Sequence, residues 1–201
     1  MAHVDLQVLD PLRSRRSVRL LLATIALVGL ARAGMPSLSA LQAGPVNSAP
    51  EVAIKAAVIA NFPKFVEWPA AAFESKTAPF VVGILGDDQL AAAIGAVFKD
   101  KRLGDRPVTV TRASRIEDLQ ACHMLYVGAS EDRRLEQLLG QLDRKPMLTI
   151  GDFGRFTQRG GMIGLVVQGD KVRFEINDRA ARAAGVRLNA NLLRLATAVI
   201  S

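Results

Sequence analysis

The sequence is poor in cysteine and histidine, with Cys122 as its one cysteine and His3 and His123 as its two histidines. One cysteine cannot form a disulfide within the chain, so packing alone must hold the fold together. Adjacent side chains on a strand point to opposite faces, which argues against a Cys122–His123 catalytic pair or shared metal site. We interpret Cys122 as structural, with an intermolecular disulfide as the alternative. Carboxylates do not cluster, and we predict neither a metal site nor a cofactor.

The sequence also lacks the common enzyme signatures. It has no G-x-G-x-x-G that opens a helix after a strand, no phosphate loop and no G-x-S-x-G elbow. Ser130 follows a predicted strand but has no evident base, and we interpret it as the cap of a helix over Glu131–Leu142. We therefore predict a protein without catalytic activity. A hydrolase whose residues do not stand out in the sequence is a remote alternative.

The first residues have the pattern of a secretory signal peptide. Four arginines precede the 12-residue apolar run Leu20–Ala31, and Ala31 and Ala33 have the A-x-A spacing of a cleavage site. The run is shorter than the ~20 residues of a membrane helix, and no cysteine for a lipid anchor lies nearby. We predict a signal peptide over residues 1–33, with cleavage possible as late as 43, and a flexible tail over 34–50. We therefore predict an exported protein that is not inserted in the membrane after the signal peptide is cleaved.

The positive charge of the chain lies largely in this leader. Residues 1–43 hold five basic and two acidic side chains, so their removal lowers the formal charge from +7 to +4. The remaining basic residues form no dense run, and we predict no binding to nucleic acid. Residues 51–201 are long enough for one domain with a sizeable core.

Apolar segments alternate with helical patterns through this domain. Short strands are predicted at Phe80–Leu85, Val108–Thr111, Met124–Val127 and Met147–Ile150. Helices are predicted at Glu51–Trp68, broken near residue 62 by Pro63, and at Gln89–Phe98, Glu131–Leu142, Asp178–Ala184 and Asn191–Ile200. Strands of this kind, separated by helices, form a parallel sheet covered on both faces. We predict a three-layer α/β/α sandwich with a mixed, mostly parallel sheet.

The clearest local unit is a β-hairpin near the end of the chain. Met162–Val167 is almost entirely apolar, Gln168–Asp170 has the composition of a turn, and Lys171–Asn177 alternates between polar and apolar residues. The hairpin is expected to form an antiparallel edge of the sheet. Because its first strand has no polar face, it either lies inside a covered sheet or directs one apolar face to another molecule.

The carboxyl ends of the predicted parallel strands indicate where a ligand would bind. Such sheets usually bind ligands just beyond these ends, where the chain places Asp87, Asp88 and Asp152. A carboxylate rim would suit a cationic or hydroxylated small ligand. The simpler interpretation of Asp87 and Asp88 is that they cap the next helix. A receiver domain is excluded, because the third strand ends in Gly128-Ala129-Ser130 without an acceptor aspartate.

Several segments in the same order resemble the YfiR/HmsC-like family of exported bacterial proteins. They are Asn61–Pro69, Pro79–Asp88, Cys122–Glu131, Leu148–Asp152 and the hairpin Gly160–Asn177. The resemblance implies a periplasmic α/β protein that binds the periplasmic sensor domain of an inner-membrane diguanylate cyclase and holds it inactive. Cyclic di-GMP and biofilm formation would then fall. Family members under redox control use cysteine pairs, whereas this chain has Cys122 alone, and Pro63 stands where the family continues a helix.

A contact with such a partner needs a desolvated apolar centre and a charged rim. The hairpin and its surroundings offer both, and a homodimer is a further possible partner. The predicted centre comprises Phe156, Ile163, Leu165 and Val167, and the predicted rim comprises Arg173 and Glu175. The small-ligand module at Asp87, Asp88 and Asp152 is the alternative function.

Overall fold

Strands of nearly uninterrupted apolar residues form the middle of the sheet in the computed structural model, which describes residues 48–169 and 171–201. The predicted signal peptide and residues 34–47 of the predicted tail lie outside these described residues. The strands are β1 (Val66–Glu67), β2 (Phe80–Leu85), β3 (Arg102–Leu103), β4 (Arg106–Ala113), β5 (Met124–Val127), β6 (Leu148–Gly151), β7 (Ile163–Gln168), β8 (Lys171–Asn177), β9 (Arg187–Leu188) and β10 (Ala198–Ile200). The helices are α1 (Ala49–Asn61), α2 (Asp88–Phe98), α3 (Leu135–Gln141), α4 (Asp178–Ala183) and α5 (Ala190–Leu195).

The main sheet has eight strands in the order β10-β8-β7-β6-β5-β2-β4-β3. Its pairs are parallel except for β7 with β8 and β3 with β4. β1 and β9 form a separate antiparallel pair. The predicted mixed, mostly parallel sheet is confirmed.

Helices cover this sheet on both faces. Along β2 the side chains alternate, so that Ile84 belongs to a core cluster under α1 and α2, whereas Leu85 belongs to a second cluster under α3. Both side chains are fully buried. The three-layer α/β/α sandwich predicted from the sequence is therefore confirmed, and the continuous apolar strands reflect burial on two sides.

Cys122 and His123 lie in different layers of the fold. Cys122 belongs to the cluster under α3, and burial raises the pKa of its thiol to about 11. The His123 ring stacks on Phe73 and Phe80 on the other face, with Nδ1 accepting from the Val81 amide at 3.0 Å. Burial lowers the pKa of His123, and the positive charge of Arg106 also lowers it. The two side chains thus have separate structural surroundings, as alternation along an extended segment requires.

The end of the chain differs from the prediction of a helix over Asn191–Ile200. Helix α5 ends at Leu195, and β10 then pairs in parallel with β8. The Thr197 amide and hydroxyl both donate to the Phe174 carbonyl, at 2.9 and 3.0 Å, which starts this pairing. The predicted hairpin is confirmed, but its expected position at the sheet edge is wrong because β10 lies outside it.

The predicted break near residue 62 in the helix Glu51–Trp68 is confirmed, because α1 ends at Asn61 and Pro63 lies in a 3-10 turn. The part after the break is not helical, since β1 follows the turn. The interpretation of Ser130 as a helix cap is wrong; its hydroxyl donates to the Gly86 carbonyl at 3.0 Å and joins the loops after β2 and β5. The following segment Ala129–Arg134 is a 3-10 turn before the shorter helix α3.

No helix in the described ranges has both the length and the apolar composition to cross a membrane.

A candidate binding groove at the carboxyl edge of the sheet

A groove of about 530 Å³ lies beyond the carboxyl ends of the central strands. The hairpin forms one of its sides, and the start of α1 and the segment after β6 form others. We call it the edge groove. Its lining residues are Glu51, Lys55, Asp87, Ala129, Asp152, Phe153, Gly154, Arg155, Phe156, Gln158, Gly164, Leu165, Val166, Val167 and Glu175. The groove therefore contains residues from both sites that the sequence predicted separately.

A buried ionic cluster forms the polar side of the edge groove. The Lys55 ammonium lies 2.7 Å from Asp152 Oδ2 and 2.7 Å from Glu51 Oε1. Only 3% of the Lys55 side chain and 6% of the Asp152 side chain are exposed, against 27% for Glu51. Burial lowers the pKa of Lys55, but hydrogen bonds to Asp152 and Glu51 outweigh this effect and leave the pKa above its ordinary value. Lys55 is thus held in its charged form.

The three predicted rim aspartates have different roles. Asp152 lines the groove and pairs with Lys55. Asp87 also lines it, and its Oδ1 accepts from the Leu90 amide at 2.9 Å, which confirms that it caps α2. Asp88 is not among the lining residues; its exposed side chain pairs with Arg112 at 2.7 Å. The sequence therefore places two of the three aspartates correctly at this edge.

Phe156 connects the groove to the core below it. Its ring is 1% exposed and lies between the backbones of Gly151 and Gly161, where an added Cβ would come within 2.5 and 2.1 Å of ring atoms. Phe153 packs against it edge to face at 5.3 Å. The two glycines are needed here because they leave space for an aromatic ring under the hairpin.

The hairpin residues predicted to meet a partner divide between core and surface. Ile163 and Leu165 are 0% and 4% exposed, and with Phe156 they belong to the core, which corrects the expectation of an exposed apolar face. Val167 is 41% exposed. Arg173 is exposed, and the half-buried Glu175 accepts from the Thr157 hydroxyl at 3.1 Å. The interior-strand interpretation therefore holds for the first half of β7 and fails for its second half.

The hairpin extends beyond the strands on either side of it. β6 pairs with β7 only at Ile163 and Gly164, and β10 pairs with β8 only from Glu175 to Asn177. The segment Leu165–Phe174, which we call the hairpin tip, is consequently a two-stranded ribbon. Along the described part of this ribbon, no other strand is paired with either side, although the Phe174 carbonyl at its base accepts from Thr197.

Tyr126 lies under the ionic cluster. Its ring is fully buried, and its hydroxyl has no hydrogen-bond partner within the described residues. Burial raises the pKa of Tyr126, and the negative charge of Asp152 raises it further. The phenol is therefore neutral, and its hydroxyl interacts with the Asp152 carboxylate.

The edge groove combines charged and apolar side chains. Four carboxylates and two cations line it, a formal charge of −2 in a chain that carries +7 in total. The lining residues include no serine, threonine, cysteine or histidine, and no metal-ligand cluster occurs in the ranges that the structure describes. Cationic groups and apolar surface would fit this combination of acidic and apolar walls.

Sequence reasoning did not single out Lys55, Glu51 or Tyr126. A local signal existed for the first two, because Glu51 and Lys55 have the i,i+4 spacing of a helical ion pair. Lys55 also lies between Val52, Ala56 and Ile59 on the buried stripe of α1. Its pairing with Asp152, 97 residues away, had no signal in a single sequence.

A family model described as YfiR/HmsC-like matches residues 52–197, which is most of the chain. The chain belongs to the YfiR/HmsC-like family. Of the segments that carry the resemblance, four form the strands β2, β5, β6 and the β7–β8 hairpin. These strands lead into the edge groove, and about half of its lining residues lie in these segments of the YfiR/HmsC-like chain.

Two solved structures show more distant similarity to this YfiR/HmsC-like chain. One is a conserved domain protein from Vibrio cholerae O1 biovar El Tor, 12% identical, with a TM-score of 0.48 over 74% of this chain and 60% of that one. The other is the ABC domain in complex with L-Trp from Streptococcus pneumonia, 10% identical, with a TM-score of 0.40 over 60% of this chain and 55% of that one. The chain thus spans about three-fifths of the length of the first structure.

Proposed function

We propose that this protein is an exported regulator that binds the periplasmic sensor domain of an inner-membrane diguanylate cyclase and holds the cyclase inactive. Cyclic di-GMP production, and with it biofilm formation, would fall while the two proteins are bound. Membership of the YfiR/HmsC-like family supports this proposal. The signal peptide predicted over residues 1–33 would deliver the protein to the periplasm.

The hairpin tip is the observation that carries the proposal. It extends past the neighbouring strands, exposes Val167 and borders a groove with acidic and apolar walls. An unpaired strand edge beside an apolar and charged groove is a surface suited to another protein. The proposed contact surface for the partner therefore comprises Val167, Arg173, Glu175 and the edge groove beside them.

Repression by binding alone follows from a shift between two conformations of the cyclase. A regulator that binds the inactive conformation more tightly by about 3 kcal/mol lowers the ratio of active to inactive molecules more than a hundredfold. No reaction by the regulator is needed. Any condition that weakens the contact by the same free energy restores the active population.

The test is a Val167→Asp variant, with Val199→Asp as the matched control. The two valines are 41% and 42% exposed, but Val199 lies on β10 and does not line the edge groove. We expect Val167→Asp to abolish co-purification with the sensor domain while both variants keep cooperative thermal melts. Equal binding by both variants would contradict the assignment of the hairpin tip. Leu165→Asp is unsuitable, because Leu165 is buried and the substitution would disrupt the core.

The second candidate function is a small-ligand module, favoured by the presence of Asp87 and Asp152 in the groove. Native mass spectrometry of the protein purified from the periplasm distinguishes the two. A retained cationic small molecule would support the module, whereas ligand-free protein that binds the sensor domain supports the regulator.

A further inference from the structure

Strand β7 loses its neighbour halfway along its length. Its last pairing with β6 is at Gly164, and Leu165–Gln168 then pairs only with β8. In the part of the chain that the structure describes, the other edge of this segment therefore has no strand beside it. Backbone N–H and C=O groups along such an edge are a template for pairing with another chain.

The register of the hairpin determines which backbone groups face outward. Gln168 and Lys171 are directly paired with two residues between them in the chain, and the closing pair of such a hairpin is a hydrogen-bonded pair. Because the hydrogen-bonding direction alternates along a strand, Leu165 and Val167 direct their backbone groups away from β8. That direction leads into the edge groove, which both residues line.

The surroundings of the β7 edge define where an added strand would lie. It would continue the line of β6, between the β7 edge on one side and Asp152–Phe156 on the other. Its side chains would point alternately to the two faces of the sheet. One face offers the ionic cluster of Glu51, Lys55 and Asp152, and Val167 lies exposed at the end of the path.

The charge of the groove determines which segment fits. Its formal charge of −2 favours a cationic side chain on the occupant. A second copy of this chain does not meet that requirement, because its own free edge, Leu165–Gln168, has no lysine or arginine. An edge-to-edge dimer would also bring two acidic grooves together, and like charges would repel.

From these observations we infer that the edge groove binds an extended segment of the partner protein, which adds to β7 as a strand and places a lysine or arginine beside Asp152 and Glu51. This inference rests on the proposed function for the identity of the partner as a cyclase sensor domain. It adds the mode of recognition: main-chain pairing along Leu165–Gln168, with specificity from one basic side chain.

The first experiment removes the outward amide of Val167 without adding charge. Proline lacks the N–H and is tolerated on strand edges, so Val167→Pro should keep the hairpin while blocking strand addition. The probes are the purified sensor domain of a diguanylate cyclase from the same organism and short peptides that tile its sequence. We expect at least a tenfold loss of affinity. An unchanged thermal melt and slow hydrogen exchange at the Val166 amide, which faces β8, would show that the hairpin is intact.

The second experiment concerns the charge. Glu51→Gln keeps the shape of the side chain and lowers the negative charge of the groove, and it should weaken binding several-fold and reduce its dependence on salt. The peptide that binds should contain a lysine or arginine whose replacement by alanine costs about tenfold in affinity.

The outcomes separate this inference from the proposed function. If Val167→Asp abolishes binding but Val167→Pro does not, strand addition is wrong and the regulator stands. If the wild-type protein binds no sensor domain, the proposed function fails. A bound peptide without a basic residue, or a dimer of this chain that Val167→Pro dissociates, would overturn the inference.

Discussion

At the scale of single residues, the pair formed by Lys55 and Asp152 determines how the groove is held together. Both side chains are nearly inaccessible to water, and hydrogen bonds to Asp152 and Glu51 leave the pKa of Lys55 above its ordinary value. The attraction between buried charges offsets a large cost of desolvation, so removing one partner is far more damaging than replacing both. The pair joins the middle of α1 to the residue that follows β6, and it fixes the floor on which an occupant would rest.

Lys55→Met should therefore lower the free energy of unfolding by about 3 kcal/mol, because Asp152 keeps a buried charge without its closest cation. The double variant Lys55→Met with Asp152→Asn should recover most of this loss. Urea denaturation of the wild type and the variants measures both effects. A single variant within about 0.5 kcal/mol of the wild type would show that solvent reaches the pair.

Two buried hydroxyls on neighbouring strands provide a matched comparison. Tyr126 Oη has no partner in the described structure, whereas Thr149 Oγ1 accepts from the Met162 amide at 3.1 Å. Tyr126→Phe should leave the free energy of unfolding unchanged or raise it by about 1 kcal/mol, because it removes an unsatisfied polar group. Thr149→Val should lower it by about 1–2 kcal/mol, because the Met162 amide loses its acceptor. Equal losses in the two variants would mean that the Tyr126 hydroxyl is bonded in solution.

At the scale of elements, the position of the hairpin depends on glycines that leave space for Phe156. Gly161→Ala would place a Cβ 2.1 Å from the Phe156 ring, so the ring or the strand must move. We expect a loss of about 1–3 kcal/mol in the free energy of unfolding, the usual cost of overpacking. Chemical denaturation measures it.

The control is Gly95→Ala in the middle of α2, where an added Cβ meets no atom within 4 Å. This substitution should raise the free energy of unfolding by about 0.5–1 kcal/mol, since alanine is the better helix former. A loss at both positions would show that the effect at Gly161 is not due to contact with Phe156.

The elements also show which parts of the fold a single sequence can reveal. Strands β2 and β5 have the predicted boundaries, because a short apolar run with turn residues on both sides is a local signal. The segment of β10 was predicted as helix, although Val199 and Ile200 are β-branched. A strand of three residues gains its stability from pairing with the edge of β8, and this pairing leaves no local signal in the sequence. Long-range contacts determine the conformation of such segments, and local periodicity in the sequence carries no information about these contacts.

The same limit applies to the candidate site. Asp87 and Asp152 could be placed at the carboxyl edge from strand order alone. The distance by which β7 extends past β6 could not be predicted, since it depends on the register between residues in different strands. That register exposes Val167 and buries Leu165, two residues that look equivalent in the sequence.

At the scale of the whole molecule, one sheet couples two hydrophobic layers. The same strands contribute to both clusters, so neither layer can lose its packing without exposing the other face of the sheet. A single cooperative unfolding transition follows for the part of the chain that the structure describes.

The single tryptophan makes this coupling measurable. Trp68 packs on Phe80 at 4.9 Å and donates to the His123 carbonyl at 3.0 Å, on the face covered by α1. Leu138 lies in the opposite layer and is 3% exposed. Leu138→Ala should lower the free energy of unfolding by about 3 kcal/mol and shift the tryptophan fluorescence and circular dichroism midpoints together. A dichroism midpoint that shifts while the fluorescence midpoint stays in place would mean that the two layers unfold separately.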